Sequence, residues 1–395
     1  MQYDFTTLRD RSGQGSQKWR SMLALDPQVS QGVAPMSVAD MEFVPQPELV
    51  RAMQQYAAEM VYGYTEATDA YYAAVIDWIH RRHGYRVQKE WIVEAPGVVP
   101  ALFQMVRAFT RPSEHVAILT PGYHPFFDAV CKQGRVEENV PLLEHEGRYC
   151  IDFPALRARL QKPETTLMIL CNPHNPVGRV WTREELTRVC ELCLQNDVFL
   201  ISDEIHLDLI LPGHEGTSVG QLGEPYVRNA AICTAPSKTF NIAGLQVSNI
   251  LIADPARREK MENSKGYFAL NMFSYKACEV VYRECEPWLD ALLHVLDENQ
   301  RSMRAALDAM GAGIRMSELQ GTYLVWLDMR SLGLDDAALE RFLRQEARWF
   351  INPGPGFGPG GEGRVRVNIA CPAHTLQEAL QRLHAALQKL PAYKK

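Results

Sequence analysis

Between residues 90 and 255 the chain alternates short, unbroken apolar runs with segments of helical periodicity. The runs are 91-WIVEA-95, 115-HVAILT-120, 166-TLMILC-171, 198-VFLIS-202, 229-NAAICT-234 and 248-SNILIA-253. Each is continuous rather than alternating, the pattern of a strand covered on both faces. Helical stretches separate several of them. One is 182-TREELTRVCELCLQN-196, where Thr182 and Glu185 have the spacing of a capping box. Strands alternating with helices predict a mainly parallel α/β sheet. After about residue 270 the pattern changes. A long helical region covers 271–310, followed by a strand at 322–329, a helix near 335–347, a strand at 364–370 and a last helix near 375–389. This predicts a smaller α+β domain. The intervening loop 352-NPGPGFGPGGEG-363 is too rich in Gly and Pro for regular structure. It reads as a connector, or as a loop shaped at a domain interface, where ligand sites are common.

The length of 395 residues allows two domains or one large one. A net charge of −6 leaves no basic footprint for nucleic acid. No run approaches eighteen apolar residues, so no membrane span is expected. The N-terminus lacks the apolar core of a signal peptide. Nine cysteines, an odd number, sit mostly in apolar segments and read as free thiols in a reducing cytoplasm. Cys190 and Cys193 form a C-x-x-C within an amphipathic helix, without a second pair. That favours core packing over metal binding.

In open parallel sheets, ligands bind beyond the carboxyl ends of the strands. The residues that follow each apolar run are therefore candidates. After 91–95 come Gly97, Val98 and Val99 at the start of a helical pattern, where backbone N–H groups can approach a phosphate. After 115–120 comes Tyr123, able to stack on a planar ring. The turn 172-NPHNPVG-178 carries Asn175, which turn chemistry does not fully explain. Asp203 ends a buried strand, where a carboxylate is costly unless paired, for example with a protonated ring nitrogen. After 229–234 come Ser237 and Lys238. Each has a plainer reading, as turn glycine, core aromatic, turn asparagine, helix cap or surface lysine. Together they supply a phosphate seat, a stacking ring, a phenolate partner, a pyridinium partner and an amine, which is what pyridoxal 5′-phosphate requires.

The chain resembles fold-type I pyridoxal-phosphate enzymes of the aminotransferase class I/II superfamily. It is most similar to C–S β-lyases of the cystathionine β-lyase and cystalysin type, including the maltose-regulon modulator branch. The resemblance rests on 10-DRSGQGSQKW-19, 35-PMSVADMEF-43, 62-YGYT-65, 172-NPHNPVG-178, 202-SDEIH-206, 237-SKTFNIAGLQ-246, 321-GTYLVWLD-328 and 366-RVNIACP-372. It implies a large domain with a mainly parallel seven-stranded sheet, spanning 46–285. A smaller α+β domain would span 286–395, with an N-terminal segment, 1–45, packing against it. Lys238 is implied as the Schiff-base lysine and, with Tyr123, as catalytic. Asp203 would pair with the pyridine nitrogen, Asn175 and His206 with the ring oxygen, and Gly97, Val98, Val99 and Ser237 with the phosphate. Arg366 would clamp the substrate carboxylate, with Asn175 and Val38 beside it. Tyr64 would reach the phosphate of a neighbouring subunit, implying a homodimer.

Four positions depart from many relatives. Gln246 stands where superfamily aminotransferases often carry arginine, Ser37 where close relatives often have tryptophan, and His124 and His206 where some have tyrosine. His124 is a candidate acid near the leaving group. The implied reaction is β-elimination from L-cystathionine, L-cysteine or a related cysteine S-conjugate, giving a thiol, pyruvate and ammonia. The alternatives are an aminotransferase and a regulatory protein that acts by binding a partner.

Overall fold

Seven strands form the central sheet: β1 (Ile92–Ala95), β2 (His115–Thr120), β3 (Val136–Pro141), β4 (Thr165–Cys171), β5 (Phe199–Asp203), β6 (Ala230–Thr234) and β7 (Ser248–Ile252). Their spatial order is β1-β7-β6-β5-β4-β2-β3. Neighbours from β6 to β3 are parallel, while β7 runs antiparallel to both β6 and β1. This computed structural model describes residues 3–30, 32–264, 266 and 269–390. All six apolar runs are strands. The seventh, β3, reads Val-Glu-Glu-Asn-Val-Pro and escapes a search for apolar continuity because it is an edge. Its inward Glu138 is tolerated because His115, Arg159 and Lys162 all reach it.

Helices cover both faces of the sheet. On one face, Val98–Phe109 packs its apolar stripe onto the strands, with Leu102, Met105 and Val106 fully buried. On the other face a larger apolar cluster continues into the C-terminal part of the chain. The capping box at Thr182 and Glu185 is formed and starts the helix Arg183–Gln195. The helical region expected over 271–310 is two helices, Met272–Glu284 and Glu286–Met310, broken at Cys285. Pro287 explains the break. It lacks a backbone N–H, so it is tolerated in the first turn of a helix and not in its interior.

The C-terminal part carries a four-stranded antiparallel sheet, β8 (Arg315–Met316), β9 (Leu324–Asp328), β10 (Asn352–Pro353) and β11 (Arg364–Asn368), in the order β8-β9-β11-β10. The Gly/Pro-rich loop is therefore more ordered than its composition suggests. Its first two residues pair with β11, and Gly354–Phe357 forms a helical turn. Gly354 and Gly361 approach so closely that a Cβ on either would lie 2.0 Å from the other's carbonyl oxygen. All nine cysteines are free, and Cys190 and Cys193 are buried. No cluster of metal-ligating side chains occurs among the described residues. Nor is any described helix long and apolar enough to cross a membrane.

Candidate active site

The strand ends converge on one cavity. Gly97, Val98, Val99, Tyr123, Asn175, Asp203, His206, Ser237 and Lys238 all line it. Local structure explains how each arrives. Gly97 caps the helix Val98–Phe109 at φ 138° and ψ 159°, a conformation in effect restricted to glycine. The first N–H groups of that helix are thereby left facing the cavity. Tyr123 caps the helix His124–Cys131. Asp203 is the last residue of β5, in register between Cys171 of β4 and Cys233 of β6. Lys238 lies in the short helix Pro236–Thr239 that follows β6.

The electrostatics are unusual for a protein interior. Burial raises the Asp203 carboxyl to about 7. The flanking thiols offer no charge, and the backbone N–H of Ile205 donates to Oδ1 at 3.2 Å. Burial pulls Lys238 down to about 8; Arg366 adds to the fall, while Asp40 and Asp203 oppose it. Burial, reinforced by Lys238 and Arg366, holds His206 neutral, well below the usual histidine range. Its Nδ1 is buried without a partner. Buried acid, amine and imidazole thus share one cavity, each displaced toward its neutral form.

Arg366, on β11, is 4% exposed. Its Nη1 donates to Asn175 Oδ1 at 3.0 Å, which leaves the Asn175 amide nitrogen as that residue's donor. Burial lowers the guanidinium to about 10, and its Nε has no partner. A strap of residues 36–42 joins this arginine to the lysine. The Ala39 carbonyl accepts from Lys238 Nζ at 2.7 Å and from the Tyr323 hydroxyl at 3.1 Å. The Val38 carbonyl accepts from Asn368 Nδ2 at 2.8 Å, and the Ser37 carbonyl from Arg366 Nη2 at 3.4 Å. Asn241 donates to and accepts from the backbone of Met41. Lys18 and Glu42, both buried, pair at 2.9 Å and anchor the strap from behind, with Asp40 and Arg11 completing the network.

Two sequence candidates lie apart. Tyr64 is fully exposed and does not reach the cavity. His124 projects from its helix, 62% exposed, with Asp128 at 3.6 Å. Gln246 lines the cavity as a neutral side chain. Sequence reasoning missed the Ala39 carbonyl, since a backbone acceptor leaves no trace in residue type. It also missed Asn352, whose Oδ1 accepts from Arg366 Nη2 at 2.8 Å. Its only signal was membership of the Gly/Pro-rich loop.

The aminotransferase class I and II family matches residues 33–383. The chain belongs to that family. It is 42% identical to cystathionine β-lyase PatB of Bacillus subtilis, over 89% of this chain and 92% of that protein. It is 30% identical to protein MalY of Escherichia coli, over 98% of this chain and 99% of that protein. The crystal structure of cystalysin from Treponema denticola, which contains a pyridoxal 5′-phosphate cofactor, superposes with a TM-score of 0.97. That match is at 43% identity and covers 99% of this chain and 100% of the other.

Proposed function

We propose that this family member is a pyridoxal-phosphate-dependent C–S β-lyase, cleaving L-cystathionine, L-cysteine or a related cysteine S-conjugate. One observation carries the reading: a buried lysine and a buried carboxylate that forms no ion pair among the described residues open onto the same cavity, beside an arginine that pairs with no acid among the described residues. The relatives named cystathionine β-lyase support the choice of reaction. So does Gln246, which adds no charge to the cavity.

The residues present suit the cofactor. Gly97 and the helix start behind it, with Ser237, form a cradle for a phosphate. Asp203 makes no direct ion pair among the described residues, and a protonated pyridine nitrogen would supply one. Asn175 and His206, whose Nδ1 has no partner among the described residues, line the cavity as partners for a ring oxygen, and Tyr123 offers its ring for stacking. Lys238 is the amine that attaches the group. Bound there, pyridoxal phosphate supplies a conjugated ring that spreads the electrons of a breaking Cα–H bond.

The chain's own residues do the rest. Arg366 would hold the substrate carboxylate and so orient the Cα–H bond toward Lys238. Lys238, with its proton affinity lowered by burial, takes the Cα proton and later returns one. The Cβ–S bond then breaks, the sulfur leaves as thiolate, and the unsaturated amine left behind hydrolyses to pyruvate and ammonia. We place the domain boundaries at 45/46 and 285/286, the latter at the helix break. We also place the enzyme in the cytoplasm, where its free thiols remain reduced. Thiol release from L-cystathionine by the loaded protein tests the assignment. Lys238→Ala is expected to lower it by roughly 10²–10⁴-fold. Unchanged release in that variant would refute it.

A further inference from the structure

Arg366 carries a full positive charge in the interior, yet every partner it has is neutral. Nη1 donates to Asn175 Oδ1 at 3.0 Å, and Nη2 donates to Asn352 Oδ1 at 2.8 Å and to the Ser37 carbonyl at 3.4 Å. The guanidinium carbon lies over the Phe357 ring, 4.9 Å from its centre. Nε is buried and unpartnered, and no carboxylate pairs with Arg366 among the described residues. A buried cation is ordinarily stabilised by an acid, and leaving it uncompensated is costly. Neutral acceptors do something an acid does not. They fix the plane and rotation of the guanidinium while leaving its charge for a ligand.

Asn352 is held to this task by the backbone. Strand pairing sets it opposite Arg366 in register between β10 and β11. The turn Gly354–Phe357 that follows carries Phe357 under the same guanidinium. One short segment therefore supplies both an acceptor at the edge of the arginine and a floor beneath it. The close approach of Gly354 to Gly361 pins that segment against the end of the loop.

We propose that Asn352 is a positioning residue that sets the site's requirement for an α-carboxylate, by aiming Arg366 without neutralising it. This rests on the reading of Arg366 as the carboxylate clamp. Aspartate has nearly the same shape as asparagine. At position 352 it would make an ion pair with the guanidinium and compete with the substrate for the same fork.

The test uses the loaded enzyme and two inhibitors that each keep half of the substrate's head group. These are 3-(methylthio)propanoate, which has a carboxylate and no amine, and 2-(methylthio)ethylamine, which has an amine and no carboxylate. Asn352→Asp is expected to raise KM for L-cystathionine and the inhibition constant of the propanoate by roughly 10–100-fold. It should leave kcat and the inhibition constant of the amine within about threefold. Asn352→Ala removes the aim and keeps the charge, so its expected rise is smaller, about 3–10-fold. Arg366→Met is the control. If it leaves propanoate inhibition unchanged, the clamp itself is wrong. If it weakens propanoate inhibition while neither Asn352 variant does, the clamp stands and the role of Asn352 falls. Equal weakening of both inhibitors in the Asn352 variants would mean general disturbance of the site, and would also overturn the proposal.

Discussion

Asp203 shows most directly how a residue at this site gives up stability for function. Its carboxyl is raised from 3.8 to about 7 by burial. The folded cofactor-free protein therefore holds a proton that the unfolded chain releases above pH 4. The stability that this proton confers is complete below the unfolded pKa and is lost as pH rises through about 7. Asp203→Asn removes that loss. Denaturant unfolding of the cofactor-free protein at pH 5 and pH 8 should show a smaller decline in the variant than in the wild type. Turnover of the loaded variant should fall by roughly 10²–10³-fold, because the charge proposed to face the ring is gone. An unaltered pH decline would mean that Asp203 is solvated or paired in the folded protein. Lys238 moves the opposite way, being neutral above about 8 rather than 10.5, which suits an amine that must take up protons near neutrality.

At the scale of elements, most of the frame was legible because apolar continuity is a strong signal. Six of the seven large-sheet strands follow from it directly, and the functional side chains at their ends follow from topology. Asp203 and Lys238 are neighbours in space because β5 and β6 are neighbours in the sheet. Three things were not legible in this way. The polar edge strand β3 buries Glu138 in ion pairs beside Val140 in the core, so it shows no continuous apolar run. The Asn352–Arg366 contact depends on a register between two short strands. The Ala39 carbonyl belongs to a strap that Lys18, Asn241 and Asn368 hold from three directions. The segment between the helices Pro47–Glu59 and Asp69–His83 is of another kind. Met60, Val61, Tyr62 and Tyr64 are all exposed there. We propose that this apolar run packs on a second copy of the chain, with Tyr64 reaching the helix start at Gly97 of that copy. Sedimentation of the loaded protein should give a dimer, and Tyr64→Phe should weaken cofactor retention by about tenfold. A monomeric, fully active protein would remove the assignment.

For the molecule as a whole, the site exists only where its two sheets meet. The large sheet supplies the lysine, the carboxylate and the helix start at Gly97, and the small sheet supplies the arginine. The strap at 36–42 hydrogen-bonds to both, through Lys238 and Asn241 on one side and Arg366 and Asn368 on the other. Family membership alone allows more than one outcome once the Cα proton is removed, and the neutral Gln246 and the lyase-named relatives favour elimination. The most direct test is to count pyruvate and homocysteine released from L-cystathionine by the loaded protein with no keto acid present. A β-lyase gives both products in equal amounts over many turnovers. An aminotransferase gives no pyruvate and stops after a single stoichiometric conversion of its cofactor, and that result would contradict the account.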